Sequence, residues 1–239
     1  MITFLTSSPT GPLDGSYSVT GFDPSNGFLA QLSACWPEDA RCLMISAFPD
    51  DAPANDQMRS FFEDAVRLSG LSCVCFDLWD SRTPPQSADA LQAYDVLLLG
   101  GGHVPTQNAF FRRIRLREKL CGFQGIVIGI SAGSMNAADI VYAQPEEPGE
   151  SVDPSYRRYL SGLGLTKTCI LPHYQMVKNR LLDGKRLFED ITYPDSFRQP
   201  FLALCDGSYL LCENGKETVF GEAYCIHKGE ISTIMDNYR

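Results

Sequence analysis

Along the first half of the chain, short runs of apolar residues alternate with segments in which apolar residues recur at helical spacing. Ile2 to Thr6, Arg41 to Phe48, Leu71 to Leu78, Asp95 to Leu99 and Gly125 to Ile130 are runs of the first kind and predict largely buried strands. Ala54 to Ser69 is of the second kind: Met58, Phe61, Phe62, Ala65, Val66 and Leu68 fall on one helical face, and Gly70 follows as a stop. Further helices are expected over Ser87 to Ala93, over Gln107 to Leu120, and directly after Ser131. Strand and helix in alternation imply a three-layer α/β fold with a mostly parallel, doubly wound sheet, which binds ligands at the carboxyl ends of its strands.

The second half is less regular. A strand ending at Pro172, a helix over Asn179 to Ile191 and a strand over Phe201 to Leu204 are expected, followed from Ser208 to Met235 by carboxy-terminal β-hairpins turning at Asn214-Gly215 and Lys228-Gly229. Gly11 to Pro24 reads as loop. Gln144 to Asp153 reads as an exposed acidic loop, with Glu146, Glu147, Glu150 and Asp153 among the breakers Pro145, Pro148 and Gly149. No repeat or domain boundary stands out, so residues 1–239 are expected to form a single domain.

Composition narrows the partners. Hydrophobic residues make up 44% of the chain and charged residues 21%, the profile of a folding globular protein. A net charge of −9 argues against nucleic acid and anionic membrane surfaces as partners. The nine cysteines include no C-x-x-C pair, and Cys73, Cys75, Cys169, Cys205 and Cys225 lie in apolar runs, as buried core cysteines do. With no long apolar span and no leader pattern, a reduced cytoplasm is the expected setting, and a monomer or homodimer the expected state.

The chemistry concentrates at two glycine-rich strand ends. Gly129-Ile130-Ser131-Ala132-Gly133 matches G-x-S-x-G directly after an apolar strand and before a helix, where a serine would stand out of the sheet at the positive end of that helix. Gly100-Gly101-Gly102-His103 follows another strand; its glycines could let backbone N–H groups approach an oxyanion, cradle a phosphate, or simply make a tight loop. For the first role Gly102 and Ala132 are the candidate donors. A serine needs a base, and of the three histidines His173 follows an apolar strand at what should be the same sheet edge. An orienting carboxylate could be Asp206, at the end of the strand Phe201 to Leu204, or Glu146, Glu147 or Glu150 from the acidic loop.

Taken in order, Gly100-Gly101-Gly102, Gly129-Ile130-Ser131-Ala132-Gly133, Pro172-His173-Tyr174 and Ala203-Leu204-Cys205-Asp206-Gly207-Ser208 resemble the peptidase E (aspartyl dipeptidase) and cyanophycinase group of serine peptidases. The resemblance spans roughly residues 40 to 235 and implies a class I glutamine amidotransferase-like fold. It implies an acyl-enzyme on Ser131, His173 as base and Asp206 as third member, with Glu146 as the alternative acid. It implies a small peptide or isopeptide substrate and no metal or cofactor. An arginine beyond the histidine holds the substrate's acidic side chain in aspartyl dipeptidase; Arg180 and Arg186 are its possible counterparts. Two departures bear on substrate choice: His103 stands where relatives often carry asparagine, and Asp206 where they carry glutamate. Three rival readings remain: an α/β-hydrolase esterase, whose triad order would use Ser131, Asp195 or Asp206, and then His227; a glutamine amidotransferase, which needs cysteine at position 131; and a non-catalytic binding protein on the same fold.

Overall fold

A computed structural model describes residues 1–11 and 19–234. Five parallel strands form its centre: β1 (Ile2–Thr6), β2 (Ala40–Ile45), β3 (Cys73–Trp79), β4 (Val96–Leu99) and β5 (Ile126–Ile130). Between them run the helices α1 (Phe28–Cys35), α2 (Ala52–Leu68), α3 (Val104–Arg113) and α4 (Leu116–Lys119), and after β5 comes the short α5 (Ala132–Asn136). The later strands are β6 (Ile140–Tyr142), β7 (Tyr159–Ser161), β8 (Cys169–Leu171), β9 (Leu181–Leu182), β10 (Lys185–Arg186), β11 (Phe201–Leu204), β12 (Tyr209–Glu213), β13 (Lys216–Phe220), β14 (Ala223–His227) and β15 (Glu230–Thr233). A one-turn helix, α6 (Tyr174–Val177), follows β8.

The main sheet has the order β13-β12-β1-β5-β4-β2-β3, with the β12–β13 hairpin added antiparallel beside β1. Its two faces are covered separately. Phe28, Leu32, Phe62, Ala65 and Val66 of α1 and α2 pack with Phe4, Met44 and Ile128 on one face. On the other, Phe110, Phe111 and Leu116 pack with Leu43, Leu97 and Val127. This is the expected three-layer, mostly parallel α/β arrangement. Asp51 caps α2 by accepting from the Ala54 N–H at 3.1 Å, and Gly70, at φ +73°, ends it.

Four expectations need correction. The strands before His173 and Asp206 do not join the main sheet: β8 and β11 lie in a second sheet of order β15-β14-β11-β8. Apolar runs report burial but not which sheet takes a strand. The helix expected over Gln107 to Leu120 breaks at Arg115, whose φ is +54°. At about 100° per residue an unbroken helix would swing Leu116 some 140° away from Phe111; the break returns Leu116 to the core, where it is fully buried. The helix over Asn179 to Ile191 is instead the tight β9–β10 hairpin, turned by Asp183-Gly184 with both φ angles positive, followed by a single wide turn over Leu187–Thr192. Of Ser87 to Ala93 only Ala90–Ala93 is helical, as one 3₁₀ turn. Part of the loop expected over Gly11 to Pro24 lies outside the described residues.

Helix α5 links the two sheets. Ala132 and Met135 pack with Leu171, Phe201 and Ala203 of the second sheet, while the helix N-terminus presses into the end of the first. A Cβ on Gly133 would stand 2.1 Å from the Leu99 carbonyl oxygen, so only glycine admits this approach. Gly133→Ala is therefore expected to cost about 3 kcal/mol of unfolding free energy by backbone displacement. Gly70→Ala, whose Cβ would meet nothing within 4 Å, should cost only about 1 kcal/mol through its positive φ. Equal midpoints for the two variants in urea denaturation would contradict this packing argument.

Candidate active site

The parallel register places the carboxyl ends of three strands side by side. Thr6 pairs with Ile130, and Leu99 pairs with Gly129, so Ser7, Ser131 and the Gly100 turn emerge next to one another. Ser131 takes φ +49° and ψ −110°, a backbone conformation strained for any residue with a Cβ. Packing imposes it. A Cβ on Gly129 would lie 2.8 Å from Ser134 Oγ and 2.9 Å from Leu5 Cδ2, so the chain turns from β5 into α5 with no slack on either side of the serine.

From the second sheet, His173 and Asp206 follow β8 and β11, which run parallel, and arrive together. His173 Nε2 lies 2.8 Å from Ser131 Oγ, and His173 Nδ1 lies 2.6 Å from Asp206 Oδ1. The Asp206 side chain is wholly shielded from solvent, and the His173 side chain is 24% exposed. Burial pushes the Asp206 carboxyl upward, but hydrogen bonding with His173, Ser7 and Gln175 outweighs it and holds the group below the usual carboxylate range. Asp206 is thus an anion that accepts the Nδ1–H of His173, which leaves Nε2 with a lone pair directed at the Ser131 hydroxyl.

The glycine turn is locked to α5 by buried amides. Gln107 Nε2 donates to the Gly100 carbonyl at 2.7 Å, Asn136 Nδ2 donates to Gln107 Oε1 at 3.0 Å, and Asn108 Nδ2 donates to Asn136 Oδ1 at 2.9 Å. Gly101 lies against the serine, so close that a Cβ there would stand 3.4 Å from Ser131 Cβ, while Gly102 packs against the Phe48 ring. Among the described residues, neither the Gly102 nor the Ala132 N–H donates a hydrogen bond. Ala132 follows the serine, and Gly102 follows the glycine that lies against it.

The acidic loop is tied down rather than freely exposed. Asp183 accepts from the Gly149 and Ser151 N–H groups, and Arg180 Nη2 donates to the Glu146 carbonyl at 2.6 Å. His103 points into it, with Nε2 2.8 Å from Glu150 Oε1 and Nδ1 2.7 Å from Thr106 Oγ1. His103, Glu147 and Glu150 bring one possible metal ligand each within 4.8 Å of the others, but both His103 ring nitrogens are already engaged and Glu147 is exposed. Glu146 does not reach His173 by a hydrogen bond among the described residues, and Asp206 occupies the position at Nδ1. Of the two candidate arginines, Arg180 lies beside Glu146, whereas Arg186 is paired with Asp190 at 2.6 Å. His227 ends β14 beyond Ile226, which pairs with Phe201, and so lies at the opposite end of β11 from Asp206. Asp195 is held by Arg158 and Tyr142. The esterase order has no geometry here.

Sequence reasoning missed Ser7 and Gln175. Ser7 Oγ donates to Asp206 Oδ1 at 2.7 Å and accepts the His173 N–H at 2.8 Å, while Gln175 Oε1 accepts the Asp206 N–H at 3.1 Å. The available signal for Ser7 was its place at the carboxyl end of a strand, which becomes informative only once β1 is known to neighbour β5.

Comparison with known proteins points the same way as this geometry. The model of peptidase family S51 matches residues 53–220. A peptidase from an acI-B1 Actinobacterium has a similar solved structure, with a TM-score of 0.60 at 14% identity, covering 99% of this chain and 94% of its own. A putative peptidase E protein from Listeria monocytogenes EGD-e matches with a TM-score of 0.57 at 14% identity, over 91% of this chain and 96% of its own. No curated protein matches the chain. No helix among the described residues is long and apolar enough to cross a membrane.

Burial pushes the Glu146 carboxyl up to about 7, with Glu150 adding to the rise and His103, Arg180 and His173 opposing it. At pH values well below 4.5 both folded and unfolded chains carry the proton and the group contributes nothing. As pH rises the unfolded chain ionises first, so stability should fall between about 4.5 and 7 and then level, by at most on the order of 3 kcal/mol. Denaturant titrations at pH 4 and pH 8 should show Glu146→Gln level with the unmodified protein at the lower pH and more stable at the higher. A difference of opposite sign would mean that Glu146 is stabilised as an anion.

Proposed function

The chain belongs to peptidase family S51 and is a peptidase, and we propose that it cleaves the amide bond of a small peptide or isopeptide through an acyl-enzyme on Ser131. One observation carries the reading: the continuous chain from Ser131 Oγ through both His173 nitrogens to a buried Asp206 carboxylate, at 2.8 and 2.6 Å. In this reading His173 Nε2 takes the hydroxyl proton as Oγ bonds to the substrate carbonyl carbon, and the carbonyl electron pair moves onto oxygen. In the same reading the Gly102 and Ala132 N–H groups are the donors to that oxyanion, with the positive end of α5 behind Ala132. The imidazolium, steadied by Asp206, then returns its proton to the leaving nitrogen as the C–N bond breaks. Water repeats the sequence on the ester, releasing the acid and restoring Ser131.

The anchored loop from Gln144 to Asp153 brings Glu146 into the field of His173, and Arg180 stands beside it, so in this reading one carboxyl and one basic group border the substrate. A dipeptide, with its own ammonium and carboxylate, complements such a pair. The Listeria protein's description as a putative peptidase E supports the same class. In this reading Arg180, beside Glu146, receives an acidic substrate side chain in preference to Arg186, which pairs with Asp190.

A screen of dipeptides, Asp-Xaa and β-aspartyl forms included, should yield turnover that Ser131→Ala and His173→Ala each lower by about a thousandfold or more, while His227→Ala leaves it unchanged. A fluorophosphonate probe should label the unmodified protein at Ser131 alone; an inert scaffold would take no label there. For Asp-Xaa substrates, Arg180→Ala should raise KM by about tenfold with a smaller change in kcat. An unchanged KM would remove Arg180 from substrate binding.

A further inference from the structure

Among the described residues, Ser7 is the one side chain that bonds to both Asp206 and His173 from outside their own sheet. It is fully buried at the end of β1, and its hydrogen-bond directions are forced. An ionised carboxylate can only accept, so the Ser7 hydroxyl must donate its single proton to Asp206 Oδ1; a backbone N–H can only donate, so Ser7 Oγ must accept from His173. The Ser7 N–H in turn donates to the Ser208 carbonyl at 3.1 Å, two residues beyond Asp206. His173 and Asp206 come from the second sheet, Ser131 from the first, and Ser7 sits on the strand adjacent to that of Ser131.

We propose that Ser7 is a positioning residue that holds the Asp206–His173 pair in register with Ser131 and shares the charge of Asp206 Oδ1 with the imidazole. The inference rests on the serine peptidase reading above. Two physical consequences follow from the contacts. His173 has its backbone at φ +58° and ψ +28°, a left-handed conformation costly for a non-glycine residue, and the N–H bond to Ser7 is one of the restraints that keeps it there. The other carboxylate oxygen, Oδ2, is buried without a hydrogen-bond partner among the described residues, so the carboxylate's side-chain donors in direct contact are His173 Nδ1 and Ser7 Oγ, both on Oδ1. Removing the hydroxyl leaves His173 as the one side chain bonded directly to Oδ1, with Gln175 still nearby, which favours the imidazolium while loosening the ring's aim at Ser131.

The test uses the full chain and two variants, Ser7→Ala and Ser7→Cys, the second keeping the side chain's size while replacing O–H by a weak S–H donor. Two rates are followed across pH: fluorophosphonate labelling of Ser131, and turnover of the best dipeptide from the screen. Both variants should label and turn over more slowly by on the order of tenfold. KM should stay within about twofold, and the acidic limb of the rate profile should move to higher pH. A purely structural lesion would lower the active fraction at every pH and leave the limb where it is. If Ser7→Ala does not fold, Ser7→Cys carries the test. A folded variant that labels at the unmodified rate with an unmoved limb would overturn the role of Ser7 while leaving Ser131 as nucleophile. Absence of labelling at Ser131 in the unmodified protein would instead overturn the peptidase mechanism itself.

Discussion

The candidate site depends on how closely α5 packs into the ends of β1 and β4. A five-residue helix has little stability of its own, and this one is held because Gly129 and Gly133 allow backbone contact with Leu5, Ser134 and the Leu99 carbonyl. That contact forces Ser131 into its strained turn, aims the hydroxyl away from the sheet, and leaves the Ala132 N–H beside it without a partner among the described residues. The same helix offers its other face, through Ala132 and Met135, to the second sheet that carries the histidine and the aspartate. If α5 moved outward by the width of a methyl group, both the strain and the alignment with His173 would be lost together.

Around this contact the polar groups divide into two sets. Gln107, Asn108 and Asn136 are buried amides that satisfy one another and the glycine turn; left unpaired, such groups cost on the order of 1–3 kcal/mol each, so the network tolerates only one arrangement. Asp206 is different. It keeps its charge under burial because His173, Ser7 and Gln175 stabilise it, and a desolvated anion with few donors is a strong acceptor for an imidazolium. The acidic loop adds a third environment, in which Glu150 is stabilised as an anion by the Glu146 and Glu147 N–H groups and by His103, while Glu146 is pushed toward the neutral form. Two glutamates on one loop thus titrate in opposite directions, and only their hydrogen-bond partners and burial distinguish them.

The strands of the central sheet were legible because burial on both faces demands unbroken apolar runs, and α2 because its periodicity and Gly70 agree. The hairpins at Asn214-Gly215 and Lys228-Gly229 were legible for the same local reason: those turns need positive φ, and asparagine, lysine and glycine adopt it there. The Asp183-Gly184 turn carried an equal signal, masked by leucines at 181, 182 and 187 whose spacing imitates a helix. The break at Arg115 carried none, since it is set by the position of Leu116 against the sheet and not by any preference of arginine.

At the site, the strained turn at Ser131 was written into the chain itself, because G-x-S-x-G encodes a local steric requirement that two neighbouring glycines satisfy. So was the order serine, histidine, aspartate, each at the end of an apolar strand. Folding in three dimensions was needed to establish that Asp206 and not Glu146 meets His173, that Arg180 and not Arg186 lies beside Glu146, and that Ser7 bridges Asp206 and His173. The reason is physical. A strand end is a local property, readable from a dozen residues, whereas which strand ends meet depends on the order of strands in two sheets and on one glycine-lined contact between them.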